Sequence, residues 1–295
     1  REKTGAGIMD CKVALLENSG DMERSITWLR KKGISSANKK TSRTAAEGLV
    51  GIKISNNTAC MIEVNAETDF VSKNKDFQDF IFNLLSVAAK KEIKVDELIL
   101  ERYNETITVE DSLKNLISKI GENIVIRRLQ YLIKESDDCF FSSYTHNEVN
   151  NDLGKIGSLI LVRSNKENEK AKDLARKISM HIAATRPLAL KKEDLDLDIV
   201  EKERNIIKEQ LIESGKPENI VDKIVHGKIS KFLSENALLE QDWVMDTSVK
   251  VKQVIESFEK QEGLKFEVKD YSFFVLGDGI DVVEKNFKEE VESQI

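Results

Sequence analysis

Two stretches early in the chain alternate apolar and polar residues with a period of two. Residues 48–55 and 58–65 read as strands, with Asn56-Asn57 between them. Asn tolerates the positive φ that a tight two-residue turn needs, so the pair predicts a β-hairpin. The period then changes. Phe77, Phe80, Ile81, Leu84 and Leu85 recur at helical spacing and predict a helix over 76–90. Shorter helices are expected over 95–103 and 109–120. Within SKIGENIVIRRLQYLIK a helix ends near Ile120-Gly121, and 124–133 becomes a strand. Further strands are predicted over 139–145 and 157–164, followed by a helix carrying Leu174, Ile178, Ile182 and Ala183. This repeats the earlier order of strand, turn, strand and helix, and predicts two similar α+β halves.

The flanking regions follow helical patterns. In residues 1–43, Thr4-Gly5-Ala6-Gly7 forms a turn, and Asp10 is positioned to cap a helix carrying Val13, Ala14 and Leu15 or Leu16. Ser19-Gly20 breaks that helix. Asp21 caps a second one, with Ile26 and Leu29 inside, Lys31 and Lys32 at its C-terminal end, and Gly33 as its stop. Two short helices bury little, so a third is expected, either ahead of Arg1 or over 34–40. Between 194 and 235 the apolar positions thin to a heptad-like stripe: Ile199 and Ile206 with Val200, Ile207 and Leu211, then Val221, Val225, Ile229 and Phe232 after a turn at 214–217. That pattern predicts an antiparallel helical hairpin that projects as an insertion or docks on another chain. A helix over 248–262, a strand over 271–276 and a charged terminal helix over 281–294 complete the reading.

Composition narrows the class. Of 295 residues, 33% are charged and 6% aromatic, and only 2 prolines and 14 glycines occur, which suits long solvated helices. The net charge of -6 argues against a chain devoted to nucleic acid. No apolar run approaches the ~20 residues needed to cross a membrane, and no signal peptide is read. Cys11, Cys60 and Cys139 have no paired spacing, which points to a reducing, cytoplasmic setting. No enzyme site assembles. His146, His181 and His226 lie far apart, without a companion at metal-ligand spacing. His181 reads as a packing residue, His146 as a more exposed loop residue, and His226 as hairpin surface. Before Lys40-Thr41, a phosphate-binding loop would need glycine, and Lys39 stands there, so 37–47 reads as a solvated basic linker. No catalytic residue, metal or cofactor is expected.

One stretch does not fit a bland reading. In VNAETDFVSKNKDFQDF, residues 64–80, a strand gives way to a helix across Glu67, Thr68, Asp69 and Phe70. An aromatic in a polar connector either plugs the local core or reaches into something else. On chemistry alone the plug is the commoner case. However, Ile62 and Val64 before it, and Phe77, Phe80 and Leu84 after it, already furnish a core, which frees Phe70 to point outward.

EVNAETDFVSKNKDFQDF closely resembles a signature of the bacterial elongation factor Ts family, and TGAGIMDCKVAL resembles the family's other strong signature. KIGENIVIRR, SMHIAATRPLAL, SGKPENIVDKIVHGK and ENALLEQ are similar to further family blocks in the family's order, so the resemblance runs end to end. It implies an α+β fold of five parts. These are an N-terminal three-helix, ubiquitin-associated-like module (1–43), one core subdomain (44–133), a second core subdomain (134–193 and 241–279), an inserted coiled-coil hairpin (194–240) and a C-terminal helical module (280–295). It implies a nucleotide-exchange factor that binds elongation factor Tu in its GDP-bound and nucleotide-free states, with no direct contact to nucleic acid or membrane and with dimerisation through 194–240 left open. Thr68, Asp69, Phe70 and Val71 would then act on the partner's magnesium and phosphate site. Arg1, Ile8, Met9, Ile120, Gly121 and His146 would be further partner contacts. The alternative is a ribosome- or RNA-associated protein using the basic 1–43 unit, against which mixed charge and the lack of interleaved aromatics weigh.

Overall fold

The hairpin over 48–65 closes at Asn56-Asn57 without a left-handed residue in the turn. Its strands pair antiparallel from Glu47↔Ala66 to Ile54↔Ala59, and the Ser55 N–H reaches the Thr58 carbonyl at 2.8 Å. Neither Asn56 nor Asn57 takes a positive φ, contrary to the expected turn geometry. This computed structural model describes residues 4, 6–38, 40–215 and 217–281, with 34–38, 218 and 219 by backbone alone. Arg1 and the expected helix over 281–294, apart from its first residue, lie outside the described residues.

The first part of the chain runs α1 (Ile8–Glu17), α2 (Met22–Asn38), β1 (Glu47–Ile54), β2 (Thr58–Ala66), a 3-10 turn (Asp69–Lys73), α3 (Lys75–Ala88), α4 (Val95–Leu98), α5 (Val109–Ile120) and β3 (Ile124–Ile133). There follow β4 (Cys139–His146), β5 (Leu153–Gly154), β6 (Ile156–Ser164), α6 (Glu169–Thr185), α7 (Leu197–Glu213), α8 (Glu218–Asn236), β7 (Asp242–Trp243), β8 (Asp246–Lys250), α9 (Val251–Glu262) and β9 (Phe266–Val275). The architecture is α+β, with small sheets ordered β3-β2-β1-β5, β4-β6-β9 and β7-β8.

The chain divides into two units. One comprises the described residues of Arg1–Tyr131, Thr145–Gly157 and Phe274–Ile295, the other Leu132–Tyr144 and Ser158–Phe273. In the first unit Leu49, Ile62 and Val64 of the hairpin meet Phe77, Phe80, Ile81 and Leu84 of α3 in a continuous core. Asn74 starts α3 by accepting the Asp76 and Phe77 N–H groups on its side chain. The edge strand β5 carried no periodic signal, because two residues show no period. It is delivered by a loop whose left-handed positions are Asn147 and Asp152, residues whose short polar side chains tolerate that region. Leu153 pairs with Gly51, where a Cβ would stand 2.8 Å from the Leu153 side chain, so a larger residue would push that side chain aside.

In the second unit Ile160 and Val162, Leu174 and Ile178, Ile255 and Phe266 share a core with Trp243. α7 and α8 form a separate cluster through Val200, Ile207, Leu211, Val221, Val225 and Ile229. Ile199 and Ile206, expected in that stripe, face solvent instead. Other local corrections are small. Gly7, not Asp10, precedes α1, and Asp10 falls in its first turn. α2 continues through Gly33 to Asn38, so 34–40 is not a separate third helix. The helix expected over 95–103 is the single turn α4, and 248–250 belongs to β8 rather than to α9. Among the described residues no helix is long and apolar enough to cross a membrane.

Candidate partner-binding site

The stretch after β2 turns tightly, and the turn sorts its side chains. Thr68 is still extended, and the 3-10 turn starts at Asp69. The Ser72 hydroxyl donates to the Asp69 carbonyl at 2.6 Å, and Gln78 of α3 donates to the Ser72 carbonyl at 2.9 Å. With the turn held this way, Val71 enters the core while Phe70 stands 79% exposed. Asp69 beside it is exposed too. The turn therefore holds a large aromatic at the surface beside an exposed carboxylate.

α5 approaches this turn with its C-terminal end. The helix starts at Thr108, whose hydroxyl accepts the Asp111 N–H, and ends at Gly121, whose φ of 92° lies in the left-handed region. A Cβ on Gly121 would meet no atom within 4 Å, so the surface beside it is open. Ile120 is half-buried against the first unit's core. Directly after Gly121 the chain crosses to the 67–68 segment. The Thr68 N–H and hydroxyl donate to the two Glu122 carboxylate oxygens at 2.9 and 2.7 Å, and the Asn123 N–H donates to Glu67 at 2.5 Å. Arg43 of the linker reaches Glu67 at 3.4 Å, and its carbonyl accepts the Asn123 side-chain amide at 2.7 Å. Lys119 also pairs with Asp76 at 2.7 Å.

The expected site residues thus fall into three groups. Thr68, Asp69, Phe70, Val71, Ile120 and Gly121 come together, with Val71 as the group's anchor rather than a surface residue. His146 is exposed at the end of β4. Its loop is tied to the turn through Asn150, which donates to Gln78 at 2.9 Å. Ile8 and Met9 are 65% and 67% exposed on α1, where Val13 and Leu16 extend the apolar surface. Sequence reasoning missed Gln78, Glu122 and Asn123, gave Glu67 no role, and took Arg43 for a solvated linker residue. The one available signal was a carboxylate directly after the helix-ending glycine in KIGEN.

His181 behaves as a packing residue. It is buried, its Nε2 meets Gln241 at 2.9 Å, its Nδ1 accepts the Val244 N–H at 3.2 Å, and it stacks on Trp243. The Nδ1 acceptor role puts the proton on Nε2, and burial pushes the pKa down despite the bond to Gln241. Among the described residues no group of three His, Cys, Asp or Glu side chains is placed to hold a metal ion.

A family model described as Elongation factor TS matches residues 67–278. The chain is 45% identical over 292 residues to "Elongation factor Ts" of Allorhizobium ampelinum, covering 99% of this chain and 94% of the relative. It is 43% identical over 296 residues to "Elongation factor Ts" of Rhizobium etli, covering 100% and 96%. The figures for "Elongation factor Ts" of Rhizobium meliloti are 43% over 292 residues, covering 99% and 94%.

Proposed function

The chain belongs to the elongation factor Ts family, and on that premise we propose that it is the nucleotide-exchange factor of elongation factor Tu, acting in the cytoplasm during translation elongation. The observation that carries this reading is Phe70, exposed on a turn whose next residue, Val71, is fixed in the core. The exchange is non-covalent, so no catalytic residue is assigned.

To eject GDP, an exchange factor must bind the nucleotide-free partner better than the loaded one. The coupling is reciprocal: the factor weakens GDP as much as GDP weakens the factor. Moving a population from mostly loaded to mostly empty takes roughly 5 kcal/mol of differential binding. A surface ion pair at ~0–1 kcal/mol cannot supply that. Burying an aromatic such as Phe70, at ~1.5–3 kcal/mol within a broad interface, contributes on the right scale. Phe70 is therefore the wedge, and Asp69 perturbs the partner's magnesium environment. Thr68 and Val71 set the turn. Ile120, Gly121 and His146 line the same contact region, and Ile8 and Met9 form a second contact on the partner's nucleotide-binding domain.

The finer architecture belongs to the same proposal. α1 and α2 make up the ubiquitin-associated-like module, and their packing is supported by Ser25, which donates to the Ala14 carbonyl at 3.0 Å. α7 and α8 make up the coiled-coil module, through which the protein dimerises or docks on another chain, and the apolar cluster they share with Ala189, Leu195 and Ala237 supports that reading.

Stopped-flow release of a fluorescent GDP from elongation factor Tu tests the function. The wild-type chain is expected to accelerate release, and Phe70→Ala is expected to lose most of the acceleration while keeping its fold. Normal exchange by Phe70→Ala would sink the wedge.

A further inference from the structure

We propose that Glu122 is a positioning residue for exchange, one that locks the Phe70 turn and the Gly121 turn into a single rigid contact element. The proposal rests on the exchange-factor reading and adds to it a residue that acts through the turn it holds. Phe70 is 79% exposed, so little packing holds its ring in place. Its direction is set mainly by the turn that carries it. That turn lies 54 residues from Glu122 in the chain, and two reciprocal carboxylate grips join them. Glu122 takes both the N–H and the hydroxyl of Thr68, the residue that opens the 3-10 turn. Glu67, from the Phe70 side, takes the N–H of Asn123.

The grips cross, so neither turn can rotate without breaking bonds to a charged acceptor, which are stronger than neutral ones. Arg43 closes the third side by pairing with Glu67 and accepting from Asn123, which ties the linker from α2 into the same element. A wedge presented by a pre-ordered turn loses less freedom on binding than one that must be ordered by the partner. Glu122 thus acts on GDP release through Phe70 and Asp69.

The test is a double-mutant cycle on GDP release from elongation factor Tu, using the full chain with Glu122→Ala, Glu122→Gln, Phe70→Ala and the double variant Glu122→Ala/Phe70→Ala. Glu122→Ala is expected to slow exchange roughly tenfold, a rate factor worth about 1.4 kcal/mol of barrier. Glu122→Gln restores the rate to within about twofold, because its amide oxygen still accepts the Thr68 N–H and its NH2 donates to the Thr68 hydroxyl. In the Phe70→Ala background, Glu122→Ala has little further effect, since the group it positions is gone. Full exchange by Glu122→Ala, or an equal loss with and without Phe70, would overturn the positioning role while leaving the exchange function standing. A wild-type chain that fails to speed GDP release would overturn both.

Discussion

At the scale of single residues, Phe70 and Val71 show how one turn sends adjacent side chains in opposite directions, one into the core and one to the surface. Val71 is buried against the first unit's core and Phe70 is not. Val71→Ala should therefore destabilise the fold by about 1–3 kcal/mol, and Phe70→Ala by no more than about 0.5 kcal/mol. Urea unfolding followed by circular dichroism distinguishes them, and equal losses would show that the ring is not free. His181 gives a second residue-scale expectation. Burial holds its folded pKa below the ordinary value, so the native state resists protonation. The stability contributed by the neutral ring is complete above the unfolded pKa of about 6.5 and is lost as pH falls below it. Between about pH 7 and about pH 5.5, the wild type should lose more stability than His181→Gln, in which the titrating group is absent. Identical pH slopes in urea unfolding would refute this.

At the scale of elements, the cleanest separation is that of α7 and α8 from the rest of the core. Their apolar contacts are largely with one another, through Ile207, Leu211, Val225 and Ile229. Leu211→Ala should cost about 2–5 kcal/mol, and the cost should appear locally. Amide exchange should speed up in α7 and α8 while β1, β2 and α3 keep their protection. Uniform loss of protection would mean that the two helices unfold only with the whole chain. The elements themselves were largely legible in the sequence. β1, β2, α3, α5 and β3 fall where alternation and helical spacing put them, because each carries enough residues to display its period. The misses have local causes. β5 is two residues long, α4 is a single turn, and the break between β8 and α9 lies inside a run with no glycine or proline to mark it. In α7 the sequence offered two adjacent apolar stripes, and packing against α8 chose Val200, Ile207 and Leu211 over Ile199 and Ile206.

At the scale of the whole molecule, the first unit is gathered around a buried carboxylate. Glu63 on β2 has no exposed surface and accepts from Arg127 at 2.9 Å and Arg128 at 2.5 Å, both on β3, and from the Gly277 N–H at 2.9 Å. It thereby joins strands of the first sheet to a segment 214 residues away. Burial alone would raise its pKa, but the bonds from Gly277, Asn65, Arg127 and Arg128 outweigh that and hold it below the usual carboxylate range. A depressed carboxyl stabilises the fold above the unfolded pKa of about 4.3, and that stability is lost as pH falls through the folded value. Glu63→Gln leaves two half-buried guanidinium groups without their anion. It should cost about 1–3 kcal/mol at neutral pH, with a smaller additional loss on acidification than in the wild type. Acid and urea titrations of both proteins check the sign, and an unchanged acid limb would contradict it.

The sequence alone determined the order and type of most elements and the family signatures, and left Phe70 free to point outward, because each depends on neighbouring residues, and neighbours share local backbone geometry. Only the tertiary structure decided which carboxylates work together. Glu63 with Gly277, and Glu67 and Glu122 with the opposite turn, are joined across 214, 56 and 54 residues of chain. A hydrogen bond closed over such a distance leaves no period in the sequence. It exists because the β2 and α5 ends are brought together by a core that forms for other reasons.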